Sequence, residues 1–289
     1  MQKKWLIVLV AVLVLCVVAG CVLEPIETGA GLEPPAAPLS VHVIDVGQAD
    51  SILVLSGGKS MLIDGGNRDD ADLVAAYLRS QGVKQLDIVV GTHPHEDHIG
   101  GLVQIIKDFP VGKIYMPRVT HTSKTYEDLL TNIKNAGLKV TPVKPGLKVD
   151  LAEEVTGVFL SPAASSYEGL NNYSAVLKLT YQDTSFLFTG DAEAEVEKEL
   201  LASGTDLSST VLKVAHHGSN SSTTTDFLQA VRPKIAVISV GKDNSYGHPS
   251  PKVLNRLEKA NVQVFRTDVH GTVVLASDGQ DVTVTTDKD

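Results

Sequence analysis

An α/β fold with two sheets is predicted by two features of the sequence. Short β-branched runs recur from residue 41 to residue 286, and helical patterns follow strands in the middle of that stretch, while strand-rich blocks open and close it. No linker and no repeat of fixed short period interrupts residues 39–289, so they read as one body.

The first block is VHVIDV (41–46), SILVLS (51–56) and SMLID (60–64). Runs of about four to eight residues bounded by Gly, Asp or Asn are the signature of strands. A helical pattern from Asp70 to Gln81 follows, with Asp69 as its start signal and Gly82 as its stop. LDIVVGT (86–92) and KIYMP (113–117) are the next strands, each followed by a helical pattern: Gly101 to Asp108 after the first, and Lys124 to Ala136, stopped by Gly137, after the second. Three strands come next, VTGVFLS (155–161), SAVLKLTY (174–181) and SFLFTG (185–190), then a helix from Glu193 to Ala202. VLKVAH (211–216) leads to a helix from Thr224 to Val231, and KIAVISVG (234–241) to one from Pro251 to Ala260. Ser250 before Pro251 is a strong start, because proline fits the first helical position. VQVFRT (262–267), TVVLAS (272–277) and DVTVTT (281–286) close the body.

With 43% hydrophobic and 20% charged residues the composition is that of a globular protein, which excludes disorder, collagen and coiled coil as global descriptions. Both cysteines, Cys16 and Cys21, fall at the start, so no disulfide framework holds the body together. Acidic residues number 34 against 25 basic ones, a balance that argues against nonspecific coating of DNA.

The N-terminus reads as an address. Lys3 and Lys4 precede an apolar run from Trp5 to Ala19, short of the roughly 20 residues of a membrane-spanning helix and shaped like a secretory signal. Val18-Ala19-Gly20-Cys21 resembles the bacterial lipobox, in which the cysteine is acylated and becomes the new N-terminus; the other reading is an uncleaved signal anchor. Residues 1–20 are thus expected to be a lipoprotein signal peptide. Residues 21–38, with Pro25, Pro34, Pro35 and Pro38, are expected to be a tether that lifts the body off the outer face of a bacterial cell membrane. Cleavage would remove Lys3 and Lys4 and no acidic residue, taking the formal charge from −9 to −11.

The densest chemistry is THPHEDHIGG (92–101), directly after a strand. His93, His95, Asp97 and His98 are donors suited to zinc, manganese or iron. His93 and His95 alternate and face one side, while Asp97 and His98 turn to a second position. Two adjacent metal ions with separate ligand sets follow from that division. His42 and His121 stand alone and read as core or surface residues.

HPHEDH matches the H-x-H-x-D-H signature of the metallo-β-lactamase superfamily. Together with VHVIDVGQADSILV, LIDGG, NNYSAVLKL, FLFTGD, LKVAHHGSNSST and NSYGHPSP, it resembles the metallo-hydrolase domain of ComEC-type competence proteins, here on a stand-alone lipoprotein. The resemblance runs from Val41 to about Asp287. It implies an αββα sandwich with a site for two divalent ions, Zn2+ or Mn2+, at one sheet edge. It also implies that Asp191 bridges the ions and that a histidine of AHHGS completes the second site, with His216 the first choice and His217 either the ligand instead or a group near the substrate. His248 is implied to face the site as phosphate contact, general acid or further ligand. One departure stands out: no histidine lies between His121 and His216, where many members supply a third ligand to the first ion, and the corresponding stretch reads Asn171-Asn172-Tyr173-Ser174.

Asp45, Asp64 and Asn172 are expected to support the ligands, because metal histidines usually donate their other N–H to an acceptor. Gln48 and Ser51 face either the cleft or the scaffold. Hydrolysis by a metal-bound hydroxide is the reaction class, with Asp97, His217 and His248 as its residues, and no serine elbow or Walker loop competes with it.

An anionic phosphodiester suits a net positive centre, and the resemblance implies a nuclease on DNA outside the membrane, within DNA uptake. Lys213, Lys242, Lys252 and Arg256 are offered either as phosphate contacts or as solvated surface. The alternatives are a phosphodiester hydrolase on cell-wall phosphorylcholine, a lactam or lactone hydrolase, and a noncatalytic metal-stabilised lipoprotein for DNA capture or adhesion. No motif points to an obligate protein partner.

Overall fold

A computed structural model describes residues 37–288. The signal peptide, Cys21 and nearly all of the expected tether lie outside the described residues.

In chain order the strands are β1 (Leu39–Val43), β2 (Ile52–Ser56), β3 (Lys59–Ile63), β4 (Leu86–Val90), β5 (Val111–Met116), β6 (Val140–Pro142), β7 (Lys148–Ala152) and β8 (Val155–Phe159). They continue with β9 (Leu177–Tyr181), β10 (Thr184–Phe188), β11 (Val211–Lys213), β12 (Ile235–Ile238), β13 (Gln263–Arg266), β14 (Val273–Ser277) and β15 (Val282–Thr286). The helices are α1 (Ala71–Ser80), α2 (Glu96–Ile99), α3 (Leu102–Asp108), α4 (Lys124–Asn135), α5 (Ala194–Ala202), α6 (Thr225–Val231), α7 (Pro251–Lys259) and α8 (Thr267–His270). Among the described residues no helix is long and apolar enough to cross a membrane.

One sheet has the order β15-β14-β1-β2-β3-β4-β5-β6 and the other β13-β12-β11-β10-β9-β8-β7. Period-two alternation makes each sheet apolar on both faces. In β3, Met61 and Ile63 join the core between the sheets, while Leu62 points the other way onto Val74, Leu78 and Leu102 of the helical layer. In β12, Ile235 and Val237 face inward, and Ala236 and Ile238 pack with Phe227, Val231 and Leu257. The result is the four-layer αββα sandwich expected from the resemblance.

The helices begin where the sequence signals them. Ser123 caps α4 and Thr224 caps α6 by accepting from the backbone N–H three residues on, and Ser250 caps α7 ahead of Pro251. β6 and β7 belong to no predicted run, since Pro142, Pro145 and the lysines Lys139, Lys144 and Lys148 break up residues 139–149. Both are edge strands, one on each sheet, where proline and lysine are tolerated and blunt an otherwise open edge.

β3 to β6 are parallel, and so are β10 to β13. Their C-terminal ends emerge on one rim, the place where open α/β sheets bind ligands.

Candidate metal centre

Four strand ends deliver the predicted donors to that rim. Asp64 follows β3, His93 to His98 follow β4, Asp191 follows β10, and His216 and His217 follow β11. Gly101 lets the H-x-H-x-D-H turn lie against β3: a Cβ there would strike the Gly65 carbonyl oxygen. The Gly65 N–H in turn donates to the His98 carbonyl at 2.7 Å.

Asp97, His98, Asp191 and His217 each aim one donor atom into a common volume, all within 4.8 Å of one another. His98 Nε2 lies 3.2 Å from Asp191 Oδ1, and His217 Nε2 lies 3.2 Å from Asp97 Oδ2. A second pair, His93 Nε2 and His95 Nδ1, stands 3.0 Å apart beside it. Asp191 Oδ2 borders both sets, 3.9 Å from His93 Nε2 and 3.8 Å from His217 Nε2. This is a candidate site for two metal ions.

The residues fit such ions. His98 Nε2 and Asp191 Oδ1 are buried, face each other, and have no hydrogen-bond partner. A buried polar atom left unpaired costs on the order of 1–3 kcal/mol, and a cation shared between them removes that cost. The charges around His98 point the same way. Burial opposes its protonation, but Asp191, Asp97 and Asp64 more than offset that and hold its imidazole well above the usual range, a pull on positive charge that a metal ion would satisfy by displacing the Nε2 proton. Asp191 is pushed up by burial and held well below the carboxylate range by His98 and His217. His93, deeply buried and next to His98, is driven well down and is neutral, as a ligand must be.

Behind the donors stands a second layer of contacts. Asp64 accepts from Thr92 N–H at 2.8 Å and from Thr92 Oγ1–H at 2.6 Å, and its Oδ2 meets His98 Nδ1 at 2.8 Å. His217 Nδ1 donates to the Ser239 carbonyl at 3.0 Å, leaving Nε2 for the centre. Asp50 joins this layer without having been expected there. Its Oδ1 lies 3.6 Å from His217 Nδ1 and its Oδ2 pairs with Lys213 Nζ at 2.9 Å, both side chains 2% exposed. In DVGQADS it is one loop carboxylate among several, and residue type alone gives no sign that a lysine from β11 lies opposite.

Several expectations change. His216, the first choice for the second site, stays outside the tight group, and His217 takes that place. Both residues have left-handed backbone (φ 51° and 52°), so the chain turns sharply and sends the two rings apart. His216 is 24% exposed; its Nε2 is 3.8 Å from Asp191 Oδ2 and its Nδ1 faces Glu193 and Ser221. Asn171, not Asn172, approaches His216, at 3.4 Å; Asn172 instead holds Glu193 N–H and Glu195 at the start of α5. Asp45 reaches no ligand histidine; it accepts from Gly47 N–H and faces Lys288. Lys213 is buried against Asp50 and cannot meet a phosphate.

Gln48 Oε1 accepts from Gly241 N–H at the cavity wall, and Ser51 Oγ donates to the Asp64 carbonyl within the scaffold. His42 is a satisfied core histidine between Ser40 and Tyr77, and His121 lies beside Ser123. The centre opens into a cavity of about 580 Å³ lined by His95, Asp97, Asp191, His216, His217 and His248, with the exposed Tyr246 beside them. His248 packs edge-on to His216 at 5.7 Å and is pushed down by burial and by its two histidine neighbours.

Known proteins bear on this arrangement. The chain is 33% identical over 251 residues to ComE operon protein 3 of Bacillus subtilis (strain 168), covering 81% of this chain and 32% of that one. It is 32% identical over 243 residues to competence protein ComA of Neisseria gonorrhoeae, covering 82% and 33%, and 30% identical over 242 residues to recombination protein 2 of Haemophilus influenzae, covering 81% and 28%. It therefore spans about a third of the length of these relatives. Among solved structures, the metallo hydrolase Igni18 of Ignicoccus hospitalis superposes with a TM-score of 0.53 at 16% identity over 86% of this chain and 100% of that one. The diiron β-hydroxylase CmlA of Streptomyces venezuelae gives 0.55 at 14%, over 85% and 55%. At such identities these two show the fold alone. Residues 44–242 match the sequence profile of the metallo-beta-lactamase superfamily, and the chain belongs to that superfamily.

Proposed function

We propose that this protein is a divalent-metal-dependent phosphodiesterase acting on DNA outside the cell membrane, held there by a lipid on Cys21. The observation that carries the reading is the pair of buried donor atoms without a hydrogen-bond partner, His98 Nε2 and Asp191 Oδ1, the latter on a residue that lines an open cavity. Superfamily membership supports hydrolysis, and the competence and recombination proteins among the relatives support DNA as the substrate.

Asp97, His98, Asp191 and His217 would hold one Zn2+ or Mn2+ ion, and His93, His95 and Asp191 a second. Bound there, divalent ions lower the pKa of water and neutralise charge on a diester. The protein's own part is positioning. Asp64 fixes the tautomer and direction of His98, and the Ser239 carbonyl does the same for His217. His248 meets the substrate as a neutral imidazole at the rim, able to hydrogen-bond a phosphoryl oxygen.

The test is a panel of single-stranded DNA, duplex DNA, RNA and bis-nitrophenyl phosphate, each with Mn2+ or Zn2+. Hydrolysis that disappears in Asp97→Ala and Asp191→Ala with the fold retained supports the reading, and undiminished hydrolysis in those variants sinks it. Cleavage of nitrocefin and of no phosphodiester would move the substrate to lactams, and metal binding with no turnover of any substrate would favour the DNA-capture alternative. Palmitate labelling that vanishes in Cys21→Ala tests the anchor.

A further inference from the structure

A groove of about 1040 Å³ between α6 and α7 belongs neither to the metal centre nor to the core. Four cations line it: Arg232 at the C-terminal cap of α6, and Lys252, Arg256 and Lys259 along α7. Among the described residues no carboxylate lines it, although acidic residues outnumber basic ones in the chain 34 to 25. The α7 cations are spaced i, i+4 and i+7, which puts them on one helix face in a row about 10 Å long. Leu228, Pro233 and Val262 give the groove an apolar floor.

Arg256 ties this groove to the metal centre. Its guanidinium donates to the Ser222 and Thr223 carbonyls and to Asn220 Oδ1, each at 3.1 Å. Ser222 Oγ donates in turn to the Ala215 carbonyl, the residue before His216. Arg256, which lines the groove, is thus clamped against the segment 216–223, whose His216 and His217 line the cavity of the metal centre.

We propose that the groove between α6 and α7 binds the phosphodiester backbone of a nucleic-acid strand that extends beyond the metal centre. The proposal rests on the reading of DNA as the substrate only for the class of ligand. A row of cations along a groove fits a linear polyanion, because a small anion touches one or two of them and leaves the others unused. A lipid surface is flat and would reach only the rim. Local concentration of positive charge also explains how an acidic protein can hold an anionic polymer: over distances of a few ångströms the near charges dominate, and more distant ones are screened within about 8 Å at physiological salt.

The experiment compares the full chain with a Lys252→Gln, Lys259→Gln double variant, by fluorescence anisotropy of a labelled single-stranded oligonucleotide in EDTA across a salt series. Both lysines are exposed, so the variant is expected to keep the wild-type melting temperature. Affinity is expected to fall at least tenfold at low salt, and the slope of log K against log salt to shrink by about 1.4, or about 0.7 for each phosphate no longer neutralised. Affinity and slope equal to wild type would overturn the groove, as would a double variant that loses binding to phosphatidylserine vesicles while its binding to the strand is untouched. The two readings fail separately. Wild-type protein that binds the strand but leaves it uncut in Mn2+ contradicts the hydrolase and supports the groove, provided the double variant loses that binding.

Discussion

Asp64 Oδ2 lies 2.8 Å from His98 Nδ1, with the carboxylate 1% and the imidazole 0% exposed. Three donors converge on this carboxylate: the Thr92 N–H, the Thr92 hydroxyl and the imidazole. Its own backbone is left-handed (φ 58°), a conformation that costs energy in a residue with a Cβ and that the surrounding contacts maintain.

Asp64→Asn turns an acceptor that serves three donors into a group that must point an N–H at one of them. The expected result is a metal affinity roughly 10–100-fold weaker, with the overall fold retained. A competition titration with a chromogenic chelator measures it; wild-type affinity in the variant would show that Asp64 is a structural residue only.

Asp50 and Lys213 form an ion pair with almost no solvent access. Asp50→Ala leaves the ammonium buried and alone, so unfolding free energy is expected to drop by roughly 3–5 kcal/mol. Adding Lys213→Met is expected to recover much of that drop, because the uncompensated charge is then gone as well. Urea denaturation of the single and double variants decides; a double variant no more stable than Asp50→Ala would mean that the pair is not coupled.

His217 and His216 are adjacent but point to different places. His217→Ala is expected to remove one ion of two, and His216→Ala to retain both, as read by metal content after gel filtration. The reverse pattern would return the second site to His216.

His42 gives a pH dependence unrelated to the metal centre. Burial pushes its imidazole down from 6.5 to about 4. Between those values the unfolded chain binds the extra proton and the folded one does not. Its contribution is therefore complete above pH 6.5 and falls away as the pH drops towards 4, by roughly 3 kcal/mol in all. Stability measured at pH 7 and at about pH 4.5 should differ less in His42→Gln than in wild type. An identical difference in both would assign the acid sensitivity to other groups.

Much of this protein was legible in its sequence. Nearly unbroken apolar runs such as SMLID and KIAVISVG belong to strands that are apolar on both faces, and two such sheets need helices outside each. The spacing of His93, His95, Asp97 and His98 separates two donor sets before any coordinates are known, because local chain direction follows from local sequence. β6 and β7 were not legible, since an edge strand packs on one side only and its composition carries the marks of an edge rather than of a strand.

The sequence by itself determined the class of fold, the cluster of donors after β4 and the chemistry they can support. Only the tertiary structure decided which histidine of AHHGS enters the centre, that Lys213 is buried against Asp50 rather than offered to a phosphate, and that Arg232 joins the α7 cations around one groove. The physical reason is shared: each depends on a backbone turn or on a contact between residues distant in the chain, and neither is encoded in the identity of a single residue or in its neighbours.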